Sequence, residues 1–282
     1  ALLEKLRQSI LAAAFRGDLT AAWRAANPDV EPASELLKRI RAERRKRWEE
    51  AELTKMRAKG KVPRDDRWKE KYVEPEPVDE SELPELPEGW TWVRLSMLGK
   101  DALNPVQTGP FGAQLHNTEF VSSGVPVIAV GNLTGLGFTD EGLYFVKPQK
   151  AAQLSRYDVH AGDVLFARSG ATLGKVTVAP DYVNDWRMTG HILRVRLNRA
   201  AANPHFIAFA LRGCPAVVRQ VTQGIRGATR PGFNTTLLEK IVIPLAPRSE
   251  QDEVVASTRR LFQWAESVDK GVKRVSENLA VL

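Results

Sequence analysis

The sequence holds a single cysteine, Cys214, in 282 residues. That excludes a disulfide scaffold and a zinc site built on several cysteines, and it fits a reducing cytoplasm. No run of eighteen apolar residues occurs, so no segment is expected to span a membrane. Histidine is scarce as well: the four are scattered and form no His-Glu-x-x-His string, so neither a metal nor a cofactor is expected. Residues 1–15 are not expected to be a secretory signal. Glu4, Lys5 and Arg7 interrupt the apolar pattern of residues 1–15, and no cleavage signal follows. With no initiating Met and a start in mid-pattern, the chain reads as a piece of a longer protein.

What is present is a globular composition, 43% hydrophobic and 27% charged, with a net charge of +7. The charge is unevenly spread. Residues 168–230 carry ten Lys and Arg, nine of them arginine, against only Asp181 and Asp185. Arginine forks onto phosphates and guanine edges, so this stretch points to a polyanion, with nucleic acid first; a basic face kept for solubility is the plain alternative.

Along the chain, Leu3, Leu6, Ile10 and Ala13 place an amphipathic helix at the start, stopped by Gly17. A second helix is expected from Ser34, its N-cap, to Gly60, with Leu36, Leu37, Ile40 and Trp48 on its apolar side. Seven of the ten residues from Lys38 to Arg47 are Lys or Arg, which makes a solvated face or a phosphate or partner contact. Residues 1–60 are thus a helical region. Residues 61–88 form an acidic, proline-rich linker unable to bury a core, laid over a surface and pinned by Trp68 and Tyr72.

Residues 89–246 read as a mixed domain. Strands are expected at Val125–Val130, Leu143–Val146, Val164–Arg168, Lys175–Val178, His191–Leu197 and Ile241–Leu245. Two short helices fall before the last strand, one capped by Asn203 with Pro204 following, the other over Pro215–Gln223. The fold class is α+β: a curved, mixed or antiparallel sheet with short helices packed on it, flanked by long coiled-coil-forming helices. From 247 to 282 the chain is one long helix, opened by a capping-box-like Ser249 and Asp252. Val254, Thr258, Leu261, Ala265, Val268, Val272, Val275, Leu279 and Leu282 repeat at four-three spacing, a coiled-coil seam on a rod roughly 50 Å long.

Strings that imitate enzyme motifs fail on inspection. Gly170-Ala171-Thr172-Leu173-Gly174-Lys175 has its first glycine one residue too close for a phosphate-binding loop, and Val176 replaces the magnesium-binding hydroxyl. Asn203-Pro204-His205-Phe206 lacks the second proline of the adenine-methyltransferase tetrad and reads as a helix cap. Cys214 reads as packing. No catalytic residue is expected.

Several strings together resemble the DNA specificity subunits of type I restriction–modification systems. These are Leu6 to Leu11 with Ala14 to Thr20; Leu86-Pro87-Glu88-Gly89-Trp90 with Trp92 and Leu95; and Gly109-Pro110-Phe111-Gly112 with Leu115. To them are added Val125 to Ile128 with Gly131-Asn132-Leu133, Gly162 to Phe166 with Arg168 and Gly170, and Asn234, Leu238 and Ile241 to Pro247 with Glu250-Gln251. Each is loose alone; their order and spacing are specific. The resemblance implies a non-catalytic subunit in which residues 89–246 are a target recognition domain reading one half of a bipartite double-stranded DNA site. It implies methyltransferase subunits and restriction subunits as partners, and long helices that hold two recognition domains apart. Only one such domain is present, so two copies paired through the long helices are a possible route to a full site.

Base readout needs donors and acceptors on loops carried by a rigid scaffold. The candidate loops are 107–117, 168–175, 186–191 and 223–234. Their candidate DNA-binding residues are Gln107, Thr108, Gln114 and His116 on the first and Arg168, Ser169, Thr172 and Lys175 on the second. Arg187 and His191 lie on the third, and Arg226, Thr229, Arg230 and Asn234 on the last. An RNA-binding or chromosome-associated helical scaffold is the alternative, although the basic stretch offers only Tyr182, Trp186, Phe206 and Phe209 for base stacking.

Overall fold

Residues 164–167, Val-Leu-Phe-Ala, and 192–195, Ile-Leu-Arg-Val, are buried at every position, which a strand permits only when both its faces are covered. The computed structural model, which describes residues 2–100, 105–134, 137–169, 173–226 and 232–280, shows what covers them. Its strands are β1 (Thr91–Arg94), β2 (Val106–Thr108), β3 (Phe120–Val121), β4 (Val125–Ile128), β5 (Tyr144–Val146) and β6 (Asp158–Val159). They continue with β7 (Val164–Ala167), β8 (Val176–Val178), β9 (Trp186–Met188), β10 (Ile192–Val195) and β11 (Val242–Leu245). The helices are α1 (Leu2–Phe15), α2 (Ala21–Ala26), α3 (Ala33–Ala58) and α4 (Pro148–Gln153), then α5 (Pro204–Gly213), α6 (Pro215–Arg226), α7 (Thr235–Lys240) and α8 (Arg248–Ala280).

The single curved sheet expected from the sequence is three sheets. One is four-stranded and antiparallel, in the order β2-β10-β7-β8; another is five-stranded, β3-β5-β4-β9-β6, with β4 and β9 parallel. The third pairs β1 with β11, so the two ends of residues 91–245 are zipped together, Thr91 opposite Leu245 and Arg94 opposite Val242. The strands absent from the sequence reading, β1, β2, β3, β6 and β9, are two to four residues long, too short to display an alternation.

Alternation explains the doubly buried strands. Val164, Phe166, Leu193 and Val195 face the main core with α5, α6 and the long helices, whereas Leu165, Ala167 and Ile192 face the five-stranded sheet with Ile128, Val159 and Met188. Arg194 falls on this second side and is buried there, answered by Asp158 on β6.

Two expected caps differ. α3 begins at Ala33 behind Pro32, with Ser34 inside its first turn. α8 begins at Arg248, ahead of Ser249, and Asp252 instead accepts from Asn203 Nδ2 (2.6 Å) and Arg248 Nη1 (2.7 Å). The expected cap of α5 is present: the Asn203 side chain accepts from the His205 and Phe206 backbone. The acidic segment lies on α3, where Trp48 meets Trp68 at 6.1 Å and Tyr72 at 5.3 Å between ring centroids. Val78, Leu83 and Leu86 then pack against the main core.

α1 and the turn that follows it run back along α8, Thr20 of the turn beside Glu250 and Arg7 of α1 beside Glu266. The near part of the heptad seam is covered, with Val254, Thr258 and Ala265 buried. Farther along, Val268 and Val272 are exposed, 43% and 60%, and among the described residues no helix covers them. Leu282 and the side chains of Val275 and Leu279 lie outside the described residues. No helix among the described residues is long and apolar enough to cross a membrane.

Candidate nucleic-acid interface

β2, β10 and β7 are adjacent and antiparallel, so the end of β2, the end of β7 and the start of β10 lie together at one edge of the four-stranded sheet. The chain leaves β2 through Gly109-Pro110-Phe111 and arrives at β10 through Thr189-Gly190-His191. These two loops touch backbone to backbone: a Cβ on Gly109 would stand 2.1 Å from the Thr189 carbonyl oxygen, and one on Gly190 would stand 2.3 Å from that of Pro110. Only glycine permits that approach. The loop after β7 joins them, since Arg168 N donates to the His191 carbonyl (3.0 Å). The 223–234 segment closes the group, with Phe233 N donating to the Arg168 carbonyl (2.8 Å) and Ser169 bridged to Gly232. Described residues from all four candidate segments, 108–111, 168–169, 189–191 and 232–233, therefore meet at one edge, although 107–108 belong to β2, 186–188 to β9 and 223–226 to α6.

Arg168 is at the centre. Its Nη1 donates to Thr108 Oγ1 (3.0 Å), and its guanidinium carbon lies over the Phe111 ring, 5.3 Å from the centroid. Burial pulls its pKa below the ordinary arginine value. Among the described residues no carboxylate forms an ion pair with it, so the internal ion pair that would have made it purely structural is not seen. Beside it, Ser169 Oγ and His191 Nδ1 are 2.8 Å apart, with the imidazole exposed.

The other candidates divide. Gln107 Nε2 donates to the Thr108 carbonyl, and its Oε1 accepts from Arg156 Nε (3.3 Å). Gln114 is exposed, but its Oε1 accepts from Phe111 N and from the Tyr157 hydroxyl, which holds the loop in shape. His116 and Lys175 are exposed, and Asn234 is exposed while its Oδ1 caps α7 through Leu237 N (2.8 Å). Thr172, Thr229 and Arg230 lie outside the described residues, as does the side chain of Arg226.

Arg187 is a correction. It is 4% exposed, and its guanidinium donates to the Ala151, Asp185 and Trp186 carbonyls and to the Asp185 carboxylate, so it braces the five-stranded sheet instead of facing a ligand. The basic stretch as a whole is also less available than its count suggested. Arg194 and Arg196 pair with Asp158, Arg196 also with Asp163, and Arg199 donates to the Ala161 carbonyl. Those two acids sit just outside residues 168–230, where a window count misses them. Burial works against the charge of Arg196, but Asp163 and Asp158 overcome it and raise its pKa.

Asp158, His160 and Asp185 also bring ligand atoms within 4.8 Å of one another. Their polar atoms are already engaged: Asp158 by two arginines, and His160 by Asp158 at Nε2 (2.8 Å) and Asn184 at Nδ1 (3.1 Å). Despite its partial burial, the arginines hold the Asp158 pKa below the usual carboxylate value, and the cluster works as an ionic lock between the two sheets.

Sequence reasoning missed Phe111, which is 57% exposed, together with Arg156 and Tyr157. Phe111 had a signal, a large aromatic side chain between glycines where no core could use it. Arg156 and Tyr157 come from a distant turn and had none.

No protein-family model matches the chain. It is 24% identical over 282 residues to the type I restriction enzyme EcoAI specificity subunit of Escherichia coli, covering 98% of this chain and 43% of that one. It is 25% identical over 269 residues to the EcoEI specificity subunit of the same organism, covering 93% of this chain and 41% of the relative. The chain thus spans about two fifths of the length of these relatives. Its fold is similar to a solved chain described under complex assembly and conformational transition of the type I R-M system, with a TM-score of 0.53 at 18% identity, over 88% of this chain and 54% of that one.

Proposed function

We propose that this chain, a relative of the type I restriction enzyme specificity subunits, reads one half of a bipartite double-stranded DNA site through the four loops gathered at the edge of its β2-β10-β7 sheet. The observation that carries the reading is Arg168, a half-buried guanidinium at the meeting point of those loops, with no acidic partner among the described residues. A buried charge needs an answer, and a DNA acceptor supplies it. The glycine contacts between loops 109–110 and 189–190 support it further, because they hold the donors on a rigid base.

On this reading the chain supplies sequence recognition in the cytoplasm, and methyltransferase and restriction subunits docked on the helical part supply the chemistry. The exposed stretch of α8 around Val268 and Val272 suits such a helical partner or a second copy of the chain. The test is binding of the full chain to random-sequence duplex DNA against duplex RNA across a salt series. DNA preference with a selected consensus supports the reading; equal binding of both, or none, removes it.

A further inference from the structure

Arg168 and Phe111 do more together than a lone arginine could. The guanidinium is held at two points, by Nη1 on Thr108 Oγ1 and by its carbon over the Phe111 ring, 5.3 Å from the centroid. These two contacts restrict the directions the fork can take. A fork so restricted suits a fixed bidentate acceptor, and the major-groove edge of guanine, O6 with N7, is such an acceptor. A phosphate would accept the fork from many directions and needs no such fixing.

The ring has its own consequence. A ring whose centroid is 5.3 Å from the guanidinium carbon is within reach of the base pair next to the one the guanidinium reads. Phe111 is 57% exposed, so its outer surface is free to meet that neighbour. The only apolar group a base pair shows in the major groove is the C5 methyl of a pyrimidine, and a phenyl ring suits it. The loop that carries the ring is anchored by Gln114 Oε1, which accepts from Phe111 N (3.0 Å) and from Tyr157 (2.9 Å).

We propose that Arg168 and Phe111 form one specificity-determining unit that reads a two-base step, a guanine by the arginine fork and an adjacent thymine, or 5-methylcytosine, by the ring. This rests on the half-site reading above.

The test is selection of binding sites from random duplex DNA by the full chain, followed by affinity measurements on the selected site with thymine replaced by uracil, which removes only the methyl. The selected site should contain a guanine next to a thymine. Uracil at that thymine should weaken binding roughly 4-fold, the value of one buried methyl group. Arg168→Lys, which keeps the charge and loses the fork, should lower the preference for that guanine by roughly 5- to 150-fold and leave the other positions as they were. Phe111→Ala, at an exposed position and so compatible with folding, should abolish the thymine-over-uracil difference. An unchanged base preference in Arg168→Lys, or an equal loss on all sequences, would mean a phosphate contact and overturn the proposal. So would a uracil effect that survives Phe111→Ala. If the unaltered chain selects no sequence at all, the half-site reading itself falls, which is a separate result.

Discussion

The indole Nε1 of Trp90 donates to Glu250 Oε2 at 2.9 Å, joining the strand that opens the sheet domain to the helix that closes it. Glu250 is wholly buried, and its other oxygen accepts from Thr20 Oγ1 (2.7 Å) and from Arg24 Nη1. One carboxylate thus ties α8 to the turn between α1 and α2, to α2 itself and to the residue that precedes β1. Its position fixes how the sheet domain sits on the helices.

Glu250→Ala leaves the Arg24 guanidinium and the Trp90 N–H without their acceptor. Removing one member of a buried charged pair costs about 3–5 kcal/mol, so the denaturant midpoint should fall sharply. Glu250→Gln keeps one oxygen acceptor and should lose less. Equal midpoints for wild type and Glu250→Ala would refute this tie.

Gly190→Ala drives a Cβ to within 2.3 Å of the Pro110 carbonyl and should push the two readout loops apart. The expected cost is about 1–3 kcal/mol in stability, with weaker DNA binding. Gly131→Ala is the control, since a Cβ there meets nothing within 4 Å. Chemical denaturation and a binding titration of both variants check it.

His205 gives the protein an acid-side weakness. Burial is the first cause that lowers its pKa, with Arg259 adding to it and Asp181 opposing, to about 4 from 6.5. The folded state keeps the ring neutral in a range where the unfolded chain is protonated. Its contribution is therefore present above pH 6.5 and is lost as pH falls from there towards 4. Thermal unfolding at pH 7 and at pH 5 should show a smaller drop for His205→Gln than for wild type. A drop of the same size in both would clear His205 of this role.

The length of α8 should set the gap between half-sites in an assembled complex. Inserting seven residues after Val268, past the stretch that α1 covers, adds about 10 Å while keeping the seam in phase. Site selection with that complex should return a spacer longer by roughly three base pairs and the same recognised bases. Because this also turns one half-site by roughly a third of a helical turn, weaker binding is expected beside the longer spacer. An unchanged spacer would leave α8 as a docking arm only.

The sequence by itself determined the elements whose signal is local. The spacing of Leu3, Leu6 and Ile10, the stop at Gly17, the Asn203 cap and the long helix α8 are each written within one turn or a few, and the structure has them, with the α8 seam buried as far as Ala265. The breaks at Gly109, Gly174 and Gly190 were legible too, because glycine beside polar residues marks a turn wherever it stands, but the strand β9 over 186–188 and the helix α6 over 223–226 were not. Only the tertiary structure decided which arginines are free. Arg187 and Arg194 look like Arg168 in sequence, yet Asp185 and the Ala151 carbonyl hold the first and Asp158 the second, while Thr108 and Phe111 merely orient the third. Packing of one sheet on the other brings Asp158 to Arg194 across 36 residues, and the pairing of β2 and β7 with β10 brings Thr108 to Arg168 across 60. A side chain's charge is set by its type, but its availability is set by neighbours that arrive from far along the chain, and no local pattern records them.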